Sequence, residues 1–170
     1  FIYADNVPGG GARFTVYLPV HHPTPGENLV AAPKAHEEPT HWGGGGELLL
    51  VEDEDSVRMV AERALTRAGY MVTAASDGEE GLERIRERLR DGVRMFDLVL
   101  SDVVMPGLDG PAMVRAIRAS VPDIPVIFMS GHAEEQLRRE IDVENAQFIP
   151  KPFSVQQIGD KVAKVLSGAS

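Results

Sequence analysis

The chain contains no cysteine. That absence excludes disulfide frameworks, thiolate metal sites and cysteine nucleophiles together, and it is compatible with a reducing compartment. Long apolar runs are also missing. Residues 48–51 and 126–129 form runs of only four, against the roughly 20 that a membrane-spanning helix needs. No charged-then-apolar leader opens the sequence, and its first residue is Phe1 rather than Met, which reads as truncation of a longer chain. Positive charge is in deficit: 17 Lys and Arg stand against 26 Asp and Glu, a net charge of −9. A broad electropositive footprint for nucleic acid is therefore lacking, and the surface favours cations or basic partners. What is present is an ordinary globular composition, 43% hydrophobic and 25% charged over 170 residues, enough for one domain and a tail.

Three zones follow from composition. Residues 1–20 read as two short strands around the turn Asn6-Val7-Pro8-Gly9-Gly10-Gly11, with Phe14, Val16 and Leu18 alternating with Thr15 and Tyr17. A lone hairpin is marginal in water, so it reads as the end of a domain whose remainder lies elsewhere. Residues 21–46 hold Pro23, Pro25, Pro33 and Pro39, four of the five histidines, and a closing run of four glycines. This reads as a flexible linker. His21, His22, His36 and His41 have no other ligand type fixed nearby, and are taken as solvated linker residues rather than a metal site.

From residue 47 short apolar runs alternate with amphipathic stretches. Strands are expected at 48–51, 70–75, 96–101, 125–129 and 147–149. The first helix, opened by Asp55 as cap, carries Val57, Val60, Ala61, Ala64, Leu65 and Ala68 on one face and ends at Gly69. Further helices are expected at 77–89 (apolar at Leu82, Ile85 and Leu89), at 111–121, weakly at 133–141, and after a Ser154 cap. Five βα units in about 124 residues imply a parallel sheet covered on both faces, a three-layer α/β/α fold. Ligands of such sheets sit at the carboxyl ends of the strands.

Those ends carry Glu52-Asp53-Glu54-Asp55, Asp102, Ser130 and Lys151-Pro152. Converging carboxylates repel one another, and a hard divalent cation relieves the conflict. Asp53 and Asp102 are the candidate direct ligands of Mg²⁺, with Glu52 acting through water. Lys151 would meet a phosphoryl group as a point charge, Ser130 would donate to it, and Asp102 would be the nucleophile. Each residue also has an ordinary reading taken singly: Asp55 as helix cap, Asp102 and Ser130 as turn residues, Lys151 as a surface lysine, His132 as a solvated loop residue. The case is joint, because separate strand ends supply the acids, hydroxyl and amine that one reaction uses.

The runs LLLVEDED (48–55), LVLSDVVMPGLDG (98–110), VIFMSGH (126–132) and FIPKPF (148–153) resemble the response-regulator receiver family in order and spacing. The resemblance implies a flavodoxin-like (CheY-like) fold with five parallel strands in the order 2-1-3-4-5. It implies Asp102 as phosphoacceptor, Asp53 as direct ligand of Mg²⁺ or Mn²⁺, the Val104 carbonyl as a further ligand, Ser130 and Phe148 as switch residues, Lys151 as the paired lysine, and a cis bond before Pro152. Glu52, Ser130 and Phe148 stand where Asp, Thr and Tyr are commoner in the family. The residues two past Asp102 and Ser130, Val104 and His132, fall where the family tunes dephosphorylation.

PGGGARFTVYLP is similar to the last hairpin of a histidine-kinase ATP-binding domain. Hairpin, linker and receiver (residues 47–170) together resemble a hybrid histidine kinase of the CckA type. That implies a phosphohistidine domain of the same protein as donor and a histidine phosphotransfer protein as acceptor. The receiver would catalyse its own phosphorylation and dephosphorylation, without nucleic acid or direct membrane contact. The location implied is cytoplasmic, with the parent kinase either soluble or anchored in the inner membrane. Met59, off the apolar stripe of the first helix, is a candidate docking anchor or an ordinary surface methionine. Two alternatives stay open: a pseudo-receiver that serves only for interaction, and a flavin- or nucleotide-binding module, for which the acidic first loop is unfavourable.

Overall fold

The computed structural model describes residues 1–7, 9–18, 45–131 and 141–168. The chain divides into two compact units, Phe1–Glu38 and Pro39–Ser170. The expected linker (21–46, of which Gly45 and Gly46 are described), His132 and the expected helix at 133–141 otherwise lie outside the described residues.

In the first unit, β1 (Ile2–Asn6) pairs antiparallel with β2 (Ala12–Val16), from Ile2 opposite Val16 to Asn6 opposite Ala12. Gly9, Gly10 and Gly11 in the connection all have φ near +100°, a region that residues with a Cβ rarely enter.

The second unit runs β3 (Glu47–Val51), α1 (Asp55–Arg67), β4 (Met71–Ala75), α2 (Gly78–Asp91), β5 (Leu98–Asp102), α3 (Gly110–Arg118), β6 (Val126–Ser130), β7 (Ala146–Pro150) and α4 (Val155–Leu166). The five strands form one parallel sheet in the order β4-β3-β5-β6-β7. This is the CheY-like 2-1-3-4-5 arrangement expected from the sequence.

Alternation along each strand divides the core in two. Leu48, Leu50, Leu98, Leu100, Ile127, Met129 and Ile149 face Ala61, Ala64 and Leu65 of α1 and Ile158 and Val162 of α4. Leu49, Val51, Val99, Val126 and Phe128 face Ile85 of α2 and Met113, Val114 and Ile117 of α3. An apolar residue at nearly every strand position is the signature of a sheet buried on both sides. Each fully buried Leu or Ile side chain contributes about 1.5–3 kcal/mol.

Several local expectations are corrected. Asp55 is not the cap of α1; Glu54 occupies that position without a side-chain capping bond. Asp55 lies in the first turn and pairs with Arg58, where an acid complements the helix dipole without capping. Val60 is 54% exposed, because the buried stripe of α1 narrows to Ala61, Ala64 and Leu65 and leaves Val60 on its flank. Leu89 in the last turn of α2 is likewise exposed. α3 ends at Arg118 rather than 121, and Tyr70 and Phe96 are buried just ahead of their strands. Asp109 caps α3 by accepting from the Ala112 N–H at 2.7 Å. Ser154 caps α4 in a reciprocal box with Gln157.

Candidate phosphoacceptor site

Parallel pairing in register brings the carboxyl ends of β3, β5, β6 and β7 to one edge of the sheet. There Lys151, just past β7, reaches across the strands. Its Nζ donates to Glu52 Oε2 at 2.6 Å and to Asp102 Oδ2 at 2.7 Å. One carboxylate oxygen each from Glu52, Asp53 and Asp102 lies within 4.8 Å of the other two. Residues 99 and 49 apart in sequence from Lys151 are thus joined by a single ammonium group.

The three acids occupy different environments. Glu52 is completely buried, Asp102 partly covered and Asp53 exposed. The second oxygen of Glu52 accepts from the Glu54 N–H at 3.4 Å. The Glu52 carboxylate, expected to reach a metal through water, also holds Lys151 directly. Burial pushes the Glu52 carboxyl above its ordinary value, and the hydrogen bond and charge of Lys151 oppose that without overcoming it. Burial alone would lower Lys151, but its bonds to Asp102 and Glu52 and their charges win and raise it. Three carboxylates gather around one ammonium group, an arrangement that favours an additional cation. All the offered donors are oxygens, which fits a hard cation such as Mg²⁺ or Mn²⁺.

Asp102 is aimed by its loop. Its Oδ1 accepts from the Val104 N–H at 3.3 Å. The Gly110 N–H bonds to the Val103 carbonyl at 3.1 Å. A Cβ at Gly110 would sit 2.1 Å from the Asp102 carbonyl oxygen, so the start of α3 approaches the Asp102 backbone as only glycine allows.

The other expected residues fall as follows. Ser130 ends β6 and is buried, and its carbonyl accepts from the Lys151 N–H at 2.7 Å. The Lys151–Pro152 bond is cis. Phe148 on β7 is buried, its ring centroid 5.9 Å from that of Phe128. Val104 is exposed beside Asp102, and Met59 is 47% exposed on α1 next to Val60. Sequence reasoning passed over Arg58, whose Nη1 donates to the Glu52 carbonyl at 2.7 Å. It also passed over Gly110 as a spacing residue. Neither leaves a periodic signal, because each acts on backbone atoms whose direction only the folded loop defines.

The sequence profile of the response regulator receiver domain matches residues 48–163. The sensor kinase CckA of Brucella abortus is 43% identical across 98% of this chain, which spans 18% of that kinase's length. The response regulator receiver protein CpdR of the same organism is 32% identical over 72% of this chain and 98% of its own. Among solved structures, the receiver domain of the hybrid histidine kinase CckA superposes with a TM-score of 0.60 at 38% identity, over 71% of this chain and 99% of its own. The chemotaxis protein CheY4 of Vibrio cholerae gives 0.63 at 26% identity, over 72% of this chain and 99% of its own.

Proposed function

Because the chain belongs to the response regulator receiver family, we propose that Asp102 accepts a phosphoryl group from a phosphohistidine within a CckA-like hybrid kinase phosphorelay. The observation that carries this reading is Lys151 bonded at once to Asp102 and to the buried Glu52, with Asp53 alongside. An Asp102 carboxylate oxygen attacks phosphorus in line. The new O–P bond makes an acyl phosphate, and the P–N bond breaks with its electron pair leaving on the imidazole nitrogen. Lys151 follows the charge that develops on the phosphoryl oxygens. Asp53, Asp102 and the Val104 carbonyl, with Glu52 through water, would hold Mg²⁺ or Mn²⁺, which would supply charge neutralisation at the acceptor. Val104 and Asp102 already form one hydrogen-bonded loop, which supports their acting together.

Ser130 would then donate to the phosphoryl group, and Phe148 would respond through its packing, since it lacks a hydroxyl. It packs against Phe128 on the α2–α3 side of the sheet, which makes the edge strand β7 the element to be biased. The acceptor of the relay is a histidine phosphotransfer protein, with exposed Met59 and Val60 on α1 as its apolar footing. The hairpin β1–β2 belongs to the end of the parent kinase's ATP-binding domain and residues 21–46 to a linker. The similarity to the sensor kinase extends across the hairpin as well as the receiver, which supports this division. A cytoplasmic location follows from that relay; among the described residues no helix is long and apolar enough to cross a membrane.

The test is phosphorylation of the whole chain with acetyl phosphate and Mg²⁺, read by intact mass. One acid-stable, hydroxylamine-labile phosphoryl group per chain is expected, absent from Asp102→Asn. Uptake that persists in that variant overturns the site. A wild-type chain that neither takes up phosphate nor binds beryllofluoride is a pseudo-receiver.

A further inference from the structure

The loop between β3 and α1 carries Glu52 and Asp53, yet it belongs to neither a strand nor a helix. One end is tied to the sheet, where the Glu52 N–H bonds to the Ala75 carbonyl at 3.2 Å. The other end is held from α1. Arg58 Nη1 donates to the Glu52 carbonyl at 2.7 Å and reaches the Asp53 carbonyl at 3.5 Å. Its Nη2 pairs with the Asp55 carboxylate. The guanidinium thus spans the loop, on a side chain only 20% exposed. Guanidinium is planar, with donors in a fixed fork, so it constrains directions as well as distances.

We propose that Arg58 is a positioning residue of this site: by gripping the Glu52 and Asp53 carbonyls it fixes the loop that presents the acidic pair, and so sets the affinity for the divalent cation. The inference rests on the metal-dependent reading given above. Asp53 is the most exposed of the three acids, so its placement depends on its backbone more than on packing. With the carbonyls released, the loop gains conformations in which Asp53 no longer faces Asp102. Cation binding must then select the productive one, and apparent affinity falls by the fraction lost.

The direction of the effect separates this role from simple electrostatics. Arg58 is a positive charge beside a cation site. Removing it by charge alone would tighten cation binding; removing it as a positioning group weakens binding.

The experiment measures free Mn²⁺ by electron paramagnetic resonance against the whole chain. Wild type must bind Mn²⁺ at a site abolished by Asp53→Asn; if it does not, the metal-dependent reading itself fails. Given that binding, Arg58→Met is expected to raise the dissociation constant roughly tenfold, the scale seen when an outer partner of a metal ligand is removed. Acetyl phosphate labelling should then need more Mg²⁺ for half-saturation while its saturated rate stays near wild type. Unchanged or tighter Mn²⁺ binding overturns the proposal, as does a loss confined to the saturated rate. Should Arg58→Met fail to fold, Arg58→Lys keeps one donor for the Glu52 carbonyl and is expected to weaken binding severalfold; wild-type affinity in that variant overturns the proposal equally.

Discussion

The hairpin β1–β2 and the parallel sheet are both made of five-residue strands, yet they treat apolar side chains oppositely. Ile2 and Phe14 are 73% and 71% exposed, whereas Leu48, Leu49 and Leu50 are all at 0%. Apolar residues occupy both faces of the hairpin: Ile2, Phe14 and Val16 on one, Phe1, Tyr3 and Tyr17 on the other. In the sheet the same pattern is covered by helix pairs, α1 with α4 and α2 with α3. Strand-forming sequence is therefore common to the two regions, and burial is not. Crossover helices supply it in the receiver, whereas among the described residues the hairpin's apolar side chains stay exposed.

The sharpest way to break this contrast is a matched pair of truncations. Leu100→Ala should lower receiver stability by about 2–5 kcal/mol, because it opens a cavity between β5 and its covering helices. Phe14→Ala should stay within about 0.5 kcal/mol for the same transition. Urea unfolding followed by far-UV circular dichroism checks both, and an equal loss in the two variants would end the distinction. A smaller effect is expected at the loop carrying Asp102. Gly110→Ala forces a Cβ against a backbone oxygen and should cost about 1–3 kcal/mol. Acetyl phosphate labelling should fall with it, since the displaced atom belongs to the Asp102 backbone. The smallest effect concerns charge, which the receiver buries and the hairpin leaves in water. Glu52 has its carboxyl raised above the ordinary value of 4.5. Glu52's contribution to wild-type stability therefore declines as pH rises from about 4.5 through that raised value, where the folded state holds the proton more tightly. Without metal, Glu52→Gln escapes this cost, so its stability relative to wild type should be highest near neutral pH and shrink below about 4.5. A pH series of thermal midpoints reads the trend, and the reverse trend would show Lys151 over-compensating the buried acid.

Much of the receiver was legible before folding. The alternation of apolar runs with amphipathic stretches located all five strands within two residues or so, because fully buried strands tolerate few polar residues. Glu52, Asp53, Asp102 and Lys151 stood out because polar residues at strand ends interrupt nothing. The errors lay where neighbours decide. Val60 fitted the helical period but fell outside the covered stripe. Asp55 had the right chemistry for a cap, but the chain turned one residue earlier, at Glu54.

Sequence by itself determined the βα alternation, the order of the acidic, hydroxyl and amine residues, and the glycine turn of the hairpin. These depend on local periodicity and backbone freedom, which are properties of neighbouring residues. Only the tertiary structure decided that Lys151 bonds Glu52 and Asp102 together, that Glu52 sits at zero exposure, and that Arg58 clasps the loop between β3 and α1. Those relations join residues far apart in the chain through atoms whose direction the closed sheet alone fixes.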